Sequence, residues 1–102
     1  RPNSTFGFIQ GVVLNVDTGD PIEYASVSIY ELDTEQLVAG SITDIEGYFS
    51  IDQVPLGSFF VRIQFIGYDV LTIDNVVINS ISGMRQDFGE CALSSQGVLG
   101  MV

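Results

Sequence analysis

Two short loops hold carboxylates that are spaced closely enough to suggest a cation site. The pairs are Asp17 with Asp20 and Asp44 with Glu46. Calcium takes about six to eight oxygen ligands, which closely spaced carboxylates supply. Neither loop contains the Asp-x-Asp-x-Asp run of an EF-hand, and turns use aspartate to accept hydrogen bonds from their own backbone. We therefore interpret both pairs as turn-forming residues and predict no metal site.

Four aromatic side chains are candidates for a sugar-binding platform, because sugars stack on aromatic rings. They are Tyr24, Tyr30, Tyr48 and Phe60. The chain contains no tryptophan, and Tyr30 and Tyr48 also fit ordinary outward positions on strands. A carbohydrate-binding module is therefore an alternative, and we assign no ligand-binding residue.

Cys91 is the only cysteine, so no disulfide can form within the chain. A reactive thiol needs a neighbouring group that lowers its pKa, and the sequence contains neither lysine nor histidine. Cys91 also alternates with Leu93 in a predicted strand. We therefore interpret it as a small buried apolar residue.

The missing residue types exclude whole classes of chemistry. Without histidine the chain cannot use a histidine base or an imidazole metal site. Without lysine it cannot use a Schiff base, a P-loop or the isopeptide crosslink of pilin-type sandwiches. No pair among the thirteen acids is flanked by residues that indicate a desolvated pocket. We predict that the domain is not an enzyme, with no catalytic residue and no cofactor.

The net charge of −10 indicates which partners are compatible with this chain. The only cations are Arg1, Arg62 and Arg85. Nucleic acids and anionic lipids are bound through clustered lysine and arginine, so neither is expected as a partner. The long apolar runs are interrupted by polar residues or glycine, and we expect no membrane insertion by this domain. A basic protein partner fits the charge better.

Alternating apolar and polar residues predict seven short strands separated by turns, without a helical period. The predicted strands cover residues 8–15, 25–31, 37–43, 48–51, 58–66, 70–78 and 86–93. This pattern favours an all-β, antiparallel Greek-key β-sandwich in one domain. The residues predicted to form its core are Val13, Val27, Ile29, Phe49, Ile51, Val61, Ile63 and Phe65.

Two local features of this pattern make sharper predictions. Asp44 and Gly47 suit a tight β-hairpin, because aspartate bonds to turn backbone and glycine tolerates positive φ. The first strand is apolar on both faces, so its strip of Phe8, Val12 and Leu14 needs a cover. We expect the chain's own termini to close that strip.

Several motifs, taken in order, resemble the carboxypeptidase-regulatory-like domain over residues 9–93. They are Gly11-x-Val13-x-Asn15, Thr18-Gly19-Asp20-Pro21-Ile22, Ala25-x-Val27, Thr43-Asp44-x-x-Gly47-x-Phe49-x-Ile51, Val54-Pro55-x-Gly57-x-Phe59 and Gly67-Tyr68. The resemblance implies a seven-stranded prealbumin-like sandwich and brings no catalytic residues.

Three further segments look like the version of this domain found in Bacteroidetes TonB-dependent outer-membrane receptors. They are Pro21-Ile22-Glu23-Tyr24-Ala25, Leu37-Val38-Ala39-Gly40 and Phe65-Ile66-Gly67-Tyr68. This resemblance implies a non-enzymatic accessory domain on the periplasmic side of the outer membrane, in a receptor for nutrient uptake. It also implies a flexible segment at 1–6, a sandwich at 7–93 and a connector toward a plug at 94–102. The partners would be the rest of the receptor and a periplasmic protein. The alternatives are a carbohydrate- or peptide-binding module and a structural spacer of a secreted surface protein.

Overall fold

The computed structural model describes residues 6–79 and 84–96, and every regular element among them is a β-strand. The strands are β1 (Phe6–Asn15), β2 (Ser26–Glu31), β3 (Leu37–Ile42), β4 (Tyr48–Pro55), β5 (Gly57–Gln64), β6 (Leu71–Ile78) and β7 (Arg85–Leu93). Within these residues no helix is long and apolar enough to cross a membrane. β1 begins one residue before the predicted start of the sandwich, and β7 ends at its predicted end, Leu93.

The strands form two sheets that pack face to face. One sheet has the order β4-β1-β7 and the other has the order β3-β2-β5-β6. The chain crosses between the sheets after β1, β3, β4 and β6. The hairpin of β2 and β3 lies in the other sheet, so β1 pairs with β4 rather than with β2, which is a Greek-key arrangement. The prediction of an all-β, seven-stranded sandwich is confirmed.

One strand pair departs from the antiparallel prediction. β1 and β7 run parallel, with Val13 opposite Cys91, whereas the other paired strands are antiparallel. Parallel neighbours need a long crossover rather than a hairpin, and here most of the domain lies between the two strands. Alternation within each strand carries no information about this direction.

The core lies between the sheets. It contains the side chains at the apolar positions of each alternating strand. Seven of the eight predicted core residues are buried, namely Val13, Val27, Ile29, Phe49, Ile51, Val61 and Ile63. Phe65 is half-buried instead and packs against the rim of the core. It lies one residue beyond the end of β5, at the start of the following turn, where its ring centre lies 5.9 Å from that of Tyr68.

The turn between β3 and β4 is not the predicted β-hairpin, because the two strands belong to different sheets. The turn chemistry itself is confirmed. The Asp44 Oδ1 atom accepts hydrogen bonds from the Glu46 and Tyr48 amides at 2.9 and 3.0 Å, and Gly47 has φ 78°. Asp44 and Gly47 therefore close a turn that carries the chain from one sheet to the other.

The apolar strip on the outer face of β1 is partly covered within the described residues. Phe8, Val12 and Leu14 are each half-buried, and the Arg85 guanidinium lies 4.3 Å from the centre of the Phe8 ring. A guanidinium over an aromatic face is a favourable cation–π contact. The predicted cover by the termini falls on residues 1–5 and 97–102, which lie outside the described residues.

Candidate functional site

In the two acidic loops, polar side chains accept hydrogen bonds from the backbone amides of the same loop. In the first loop, the Asn15 Oδ1 atom accepts hydrogen bonds from the Asp17 and Thr18 amides at 2.8 and 3.1 Å. Thr18 Oγ1 accepts from the Asp20 amide at 3.1 Å. The residues predicted to accept the backbone hydrogen bonds of this turn were Asp17 and Asp20, whereas Asn15 and Thr18 accept them. Across 6–79 and 84–96 no three acidic or cysteine side chains are grouped so that they could hold a metal ion.

Cys91 is buried in β7, as its alternation predicts, with 5% of its surface exposed. Burial, with a smaller contribution from the nearby Asp87 carboxylate, raises the pKa of its thiol from 9.0 to about 11. Both effects disfavour the thiolate, which is the nucleophilic form. Cys91 is therefore an unreactive core residue.

The four candidate aromatic residues do not form one platform. Tyr30 and Phe60 stack on the outer face of the four-stranded sheet, with ring centres 5.1 Å apart. The Arg62 guanidinium lies 5.2 and 5.3 Å from those two centres. Tyr48 lies on the other sheet and donates a 3.0 Å hydrogen bond to Gln10. Tyr24 lies apart from all three, so the proposed stacking surface is divided among separate places.

Tyr24 instead lines an open groove of about 410 Å³ at one end of the four-stranded sheet. The residues that line it are Tyr24, Ser26, Gln64, Phe65, Ile66, Tyr68 and Val70. Tyr24 is 69% exposed and Ile66 is 88% exposed. Exposed apolar side chains of this size, gathered in one place, mark interaction surfaces more often than isolated ones do.

A backbone irregularity places Tyr24 at the groove. Its amide donates to the Thr43 carbonyl at 3.0 Å, and the Thr43 amide donates to the Ala25 carbonyl at 3.0 Å. Tyr24 and Ala25 thus both lie opposite the single residue Thr43, which is the pattern of a β-bulge, and Tyr24 adopts φ 69°. The buried Thr43 hydroxyl holds the bulge by donating to the Ile22 carbonyl at 2.7 Å and accepting from the Ala25 amide at 2.8 Å. A tyrosine in this left-handed conformation is strained, which is typical of functional positions.

A tight turn forms the opposite wall of the groove. The Tyr68 amide donates to the Phe65 carbonyl at 3.0 Å, and Gly67 supplies the positive φ, 85°, that this turn requires. Ile66 therefore lies at the corner and projects into solvent. Tyr68 is anchored beneath it, because its hydroxyl oxygen accepts a 2.9 Å hydrogen bond from Asn15 Nδ2.

The chain leaves the sandwich beside this groove. After β7, the Ser94 carbonyl accepts a 2.8 Å hydrogen bond from the Asp69 amide, and the Gln96 amide donates to the Gly67 carbonyl at 2.8 Å. Ser95 forms a bridge with Tyr68. The segment after the sandwich is therefore held against the same turn that forms the groove wall.

Sequence reasoning named only Tyr24 among the groove residues as a candidate ligand contact. The one other sequence feature that pointed to this surface was the presence of the apolar residues Ile66 and Val70 beside Gly67, because residues at turns are usually polar. That signal could not identify a groove, because Tyr24 and Ile66 are brought together only when β2 pairs with β5.

Comparison with known families places this fold in a named group. The sequence profile of the carboxypeptidase regulatory-like domain matches residues 8–89, which is most of the chain. No curated protein matches the chain.

Solved structures share the fold at low sequence identity. BcpA, the major pilin subunit of Bacillus cereus, aligns with a TM-score of 0.70 and 10% identity over 90% of this chain and 31% of its own. A type II cohesin-X-dockerin complex from Acetivibrio cellulolyticus aligns with a TM-score of 0.57 and 23% identity, covering 82% of this chain and 52% of that one. The group B streptococcus pilus 2b backbone protein aligns with a TM-score of 0.63 and 12% identity, covering 88% and 41%. The chain thus spans about half or less of each of these proteins, and the likeness concerns the fold alone.

Proposed function

Because this chain belongs to the carboxypeptidase regulatory-like domain family, we propose that it is a non-enzymatic accessory domain whose groove binds the part of the protein that follows it. In its specific form, the proposal places the domain on the periplasmic side of the outer membrane, in a TonB-dependent receptor for nutrient uptake. The groove would then hold the connector or the plug domain against the sandwich.

The observation that supports this role is the position of the chain exit relative to the groove. Gln96 is bonded to Gly67, and Gly67 forms the wall that presents Ile66. The proposal therefore tethers a following domain close to an exposed apolar surface. A short tether gives the groove and that domain a high effective concentration, so modest contacts suffice for docking.

Two of the three receptor-type motifs contribute residues to this groove, which supports the specific form of the proposal. Tyr24 comes from the first of these motifs, and Phe65, Ile66 and Tyr68 come from the third. The second motif begins β3 and pairs with residues 28–30, away from the groove. Segments that are far apart in the sequence thus share one surface.

Hydrogen–deuterium exchange on a longer protein tests the docking. The amides of residues 24–26 and 65–70 should exchange more slowly in a protein that includes the following domain than in the isolated 102-residue chain. Ile66→Glu should remove this extra protection because it places a charge in an apolar contact. Leu56→Glu is the matched control, since Leu56 is exposed and does not line the groove.

The alternatives predict different results in the same experiment. A structural spacer leaves the groove equally open in the isolated and the longer protein. A carbohydrate-binding module shows slower exchange only when a glycan is added to the isolated domain. Separately, fractionation of cells should recover the protein in the outer membrane with this domain protected from external protease, and recovery outside the membrane would contradict the receptor assignment.

A further inference from the structure

Three of the four sheet edges are interrupted in ways that prevent another strand from pairing with them. β4 contains Asp52, Pro55 and a positive φ at Gln53, and β6 contains Asp74 beside a positive φ at Asn75. β7 contains Asp87, Glu90 and a positive φ at Gly89. Charges, proline and bulges on edge strands are the usual protection against unwanted pairing.

The fourth edge, β3, lacks charge, proline and positive φ over Leu37–Ile42, and its one irregularity, a register shift that skips Val38, leaves residues 39–42 regularly paired with β2. Its sequence, LVAGSI, contains no charge and no proline. No residue in it has positive φ. Leu37 is 64% exposed and Ile42 is 57% exposed. β3 pairs only with β2 among the described strands, which leaves its outer side open.

The hydrogen-bond pattern shows which backbone groups face outward. Thr43 bonds to Ala25 on the β2 side, and bonding alternates along an antiparallel ladder. Ser41 and Ala39 therefore also bond toward β2, opposite Val27 and Ile29. The N–H and C=O groups of Gly40 and Ile42 point away from the sheet, where they can pair with another strand.

Both ends of this edge are strongly acidic. Glu31, Asp33 and Glu35 lie at its beginning, and Asp44 and Glu46 lie at its end. These are five of the thirteen acids, and residues 31–46 include no lysine or arginine. An incoming strand thus meets uncharged backbone in the middle and negative charge at each end.

We propose that the β3 edge binds an extended segment of another protein, with apolar or β-branched residues in its middle and lysine or arginine at both ends. Backbone hydrogen bonds to Gly40 and Ile42 pair the incoming segment with β3, and the acidic turns at both ends of the edge favour a segment with positively charged ends. This inference goes beyond the proposed accessory role, because it involves a separate partner and needs only the sandwich itself.

A second copy of the chain is a poor occupant of the same edge. Antiparallel pairing of two β3 strands brings Asp44 and Glu46 of one copy near the Glu31–Glu35 turn of the other. Parallel pairing brings identical acidic turns together. Both arrangements place like charges side by side, which is unfavourable.

The test uses the isolated 102-residue chain and synthetic peptides of about ten residues, long enough to span an average strand. One peptide alternates valine and threonine in its middle with two lysines at each end, and its partner has glutamate in place of each lysine. Titration calorimetry at low salt should detect binding of the lysine peptide, and its affinity should exceed that of the glutamate peptide by about tenfold or more. The same lysine peptide with alternate backbone nitrogens methylated should not bind, because it cannot form the ladder.

Two variants locate the site. Ile42→Lys places a cation on the open edge and should abolish binding. Ile45→Lys makes the same charge change at a 72% exposed position in the following turn, so it should retain most of the binding. Circular dichroism checks that both variants keep the β-sheet spectrum.

Four results would overturn the proposal. Equal loss of binding in the two variants, or undiminished binding of the methylated peptide, would mean that charge attraction acts without strand pairing. Absence of binding at low salt would mean that the edge accepts no such segment. Self-association of the chain that disappears in Ile42→Lys would assign the edge to a second copy. None of these results depends on the receptor assignment, which is tested separately by exchange in the longer protein.

Discussion

Gly47 is held by two independent constraints at the crossing between the sheets. Its φ of 78° lies in the left-handed region, and its carbonyl accepts a 2.8 Å hydrogen bond from the Val13 amide. A Cβ atom added there would lie 2.4 Å from the Val13 carbonyl oxygen. Backbone conformation and lack of space thus both require glycine.

Replacing Gly47 with alanine should therefore cost more stability than the same change at Gly19. Gly19 has the same φ of 78°, but a Cβ there would meet nothing within 4 Å. We expect Gly19→Ala to lose about 1 kcal/mol from backbone strain, and Gly47→Ala to lose about 2–4 kcal/mol because the clash adds to it. Urea denaturation of both variants measures the difference. Equal losses would show that the Val13 contact relaxes without cost.

Cys91 should make stability depend on pH in the alkaline range. Its pKa is raised to about 11 in the folded chain from 9.0, so the folded state binds the thiol proton more tightly than the unfolded state. The resulting stabilisation is complete below pH 9 and is lost as the pH rises from about 9 to about 11. The urea midpoint should fall more steeply across this window in the wild type than in Cys91→Ala. The comparison removes the contribution of tyrosine ionisation, and parallel curves would contradict the raised pKa.

At the scale of elements, the outer face of the four-stranded sheet contains a second, smaller packed cluster. Phe60 points away from the main core, yet only 8% of it is exposed, because Tyr30 stacks on it and Arg62 lies over both rings. Tyr30 and Phe60 are directly opposite each other on β2 and β5. Cross-strand aromatic pairs of this kind stabilise the pairing of their strands.

A double-mutant cycle measures the interaction energy between Tyr30 and Phe60. Tyr30→Leu and Phe60→Leu each remove one ring while keeping an apolar side chain. The coupling energy between the two changes should be about 0.5–1.5 kcal/mol, the range for stacked aromatic pairs. Tyr48 with Phe60 is the control pair, since these residues lie on different sheets and their changes should add. A coupling near zero for Tyr30 and Phe60 would mean that Arg62 or solvent replaces the stacking.

At the scale of the whole molecule, thirteen acids and three arginines give a net charge of −10. Charge of one sign destabilises the compact state through self-repulsion, and salt screens it. The melting temperature should therefore rise between about 20 and 200 mM sodium chloride, where the screening length falls from roughly 20 to below 10 Å.

Calcium chloride at matched ionic strength provides the control for this prediction. An equal rise in melting temperature means that screening accounts for the effect and that the acidic loops hold no calcium. A larger rise that saturates below about 1 mM calcium would instead indicate a specific site, because a bound ligand stabilises the folded state by mass action. Titration calorimetry with calcium should release no binding heat under the same conditions.

Much of the fold was predictable because a strand's alternation is local information. The inward positions of β2, β4 and β5 followed from residues such as Val27, Phe49 and Val61, all of which are buried. The chemistry of the turn at Asp44 and Gly47 followed from residue type alone. The candidate site was less predictable. Tyr24 was named, but its neighbours Ile66 and Tyr68 were not. The stacking of Tyr30 on Phe60 was not predicted, because the two rings were considered as parts of a sugar-binding platform rather than as a pair.

The residue pattern alone specified which side of each strand faces the core, where the turns fall and which residue-dependent chemistry is excluded. The three-dimensional packing established that β1 and β7 run parallel, that the Asp44 turn joins two sheets, and that the groove residue Ser26 pairs with Ile42 at the end of the open β3 edge. The physical reason is that alternation specifies burial within a strand, whereas strand neighbours are chosen by packing among residues far apart in the chain.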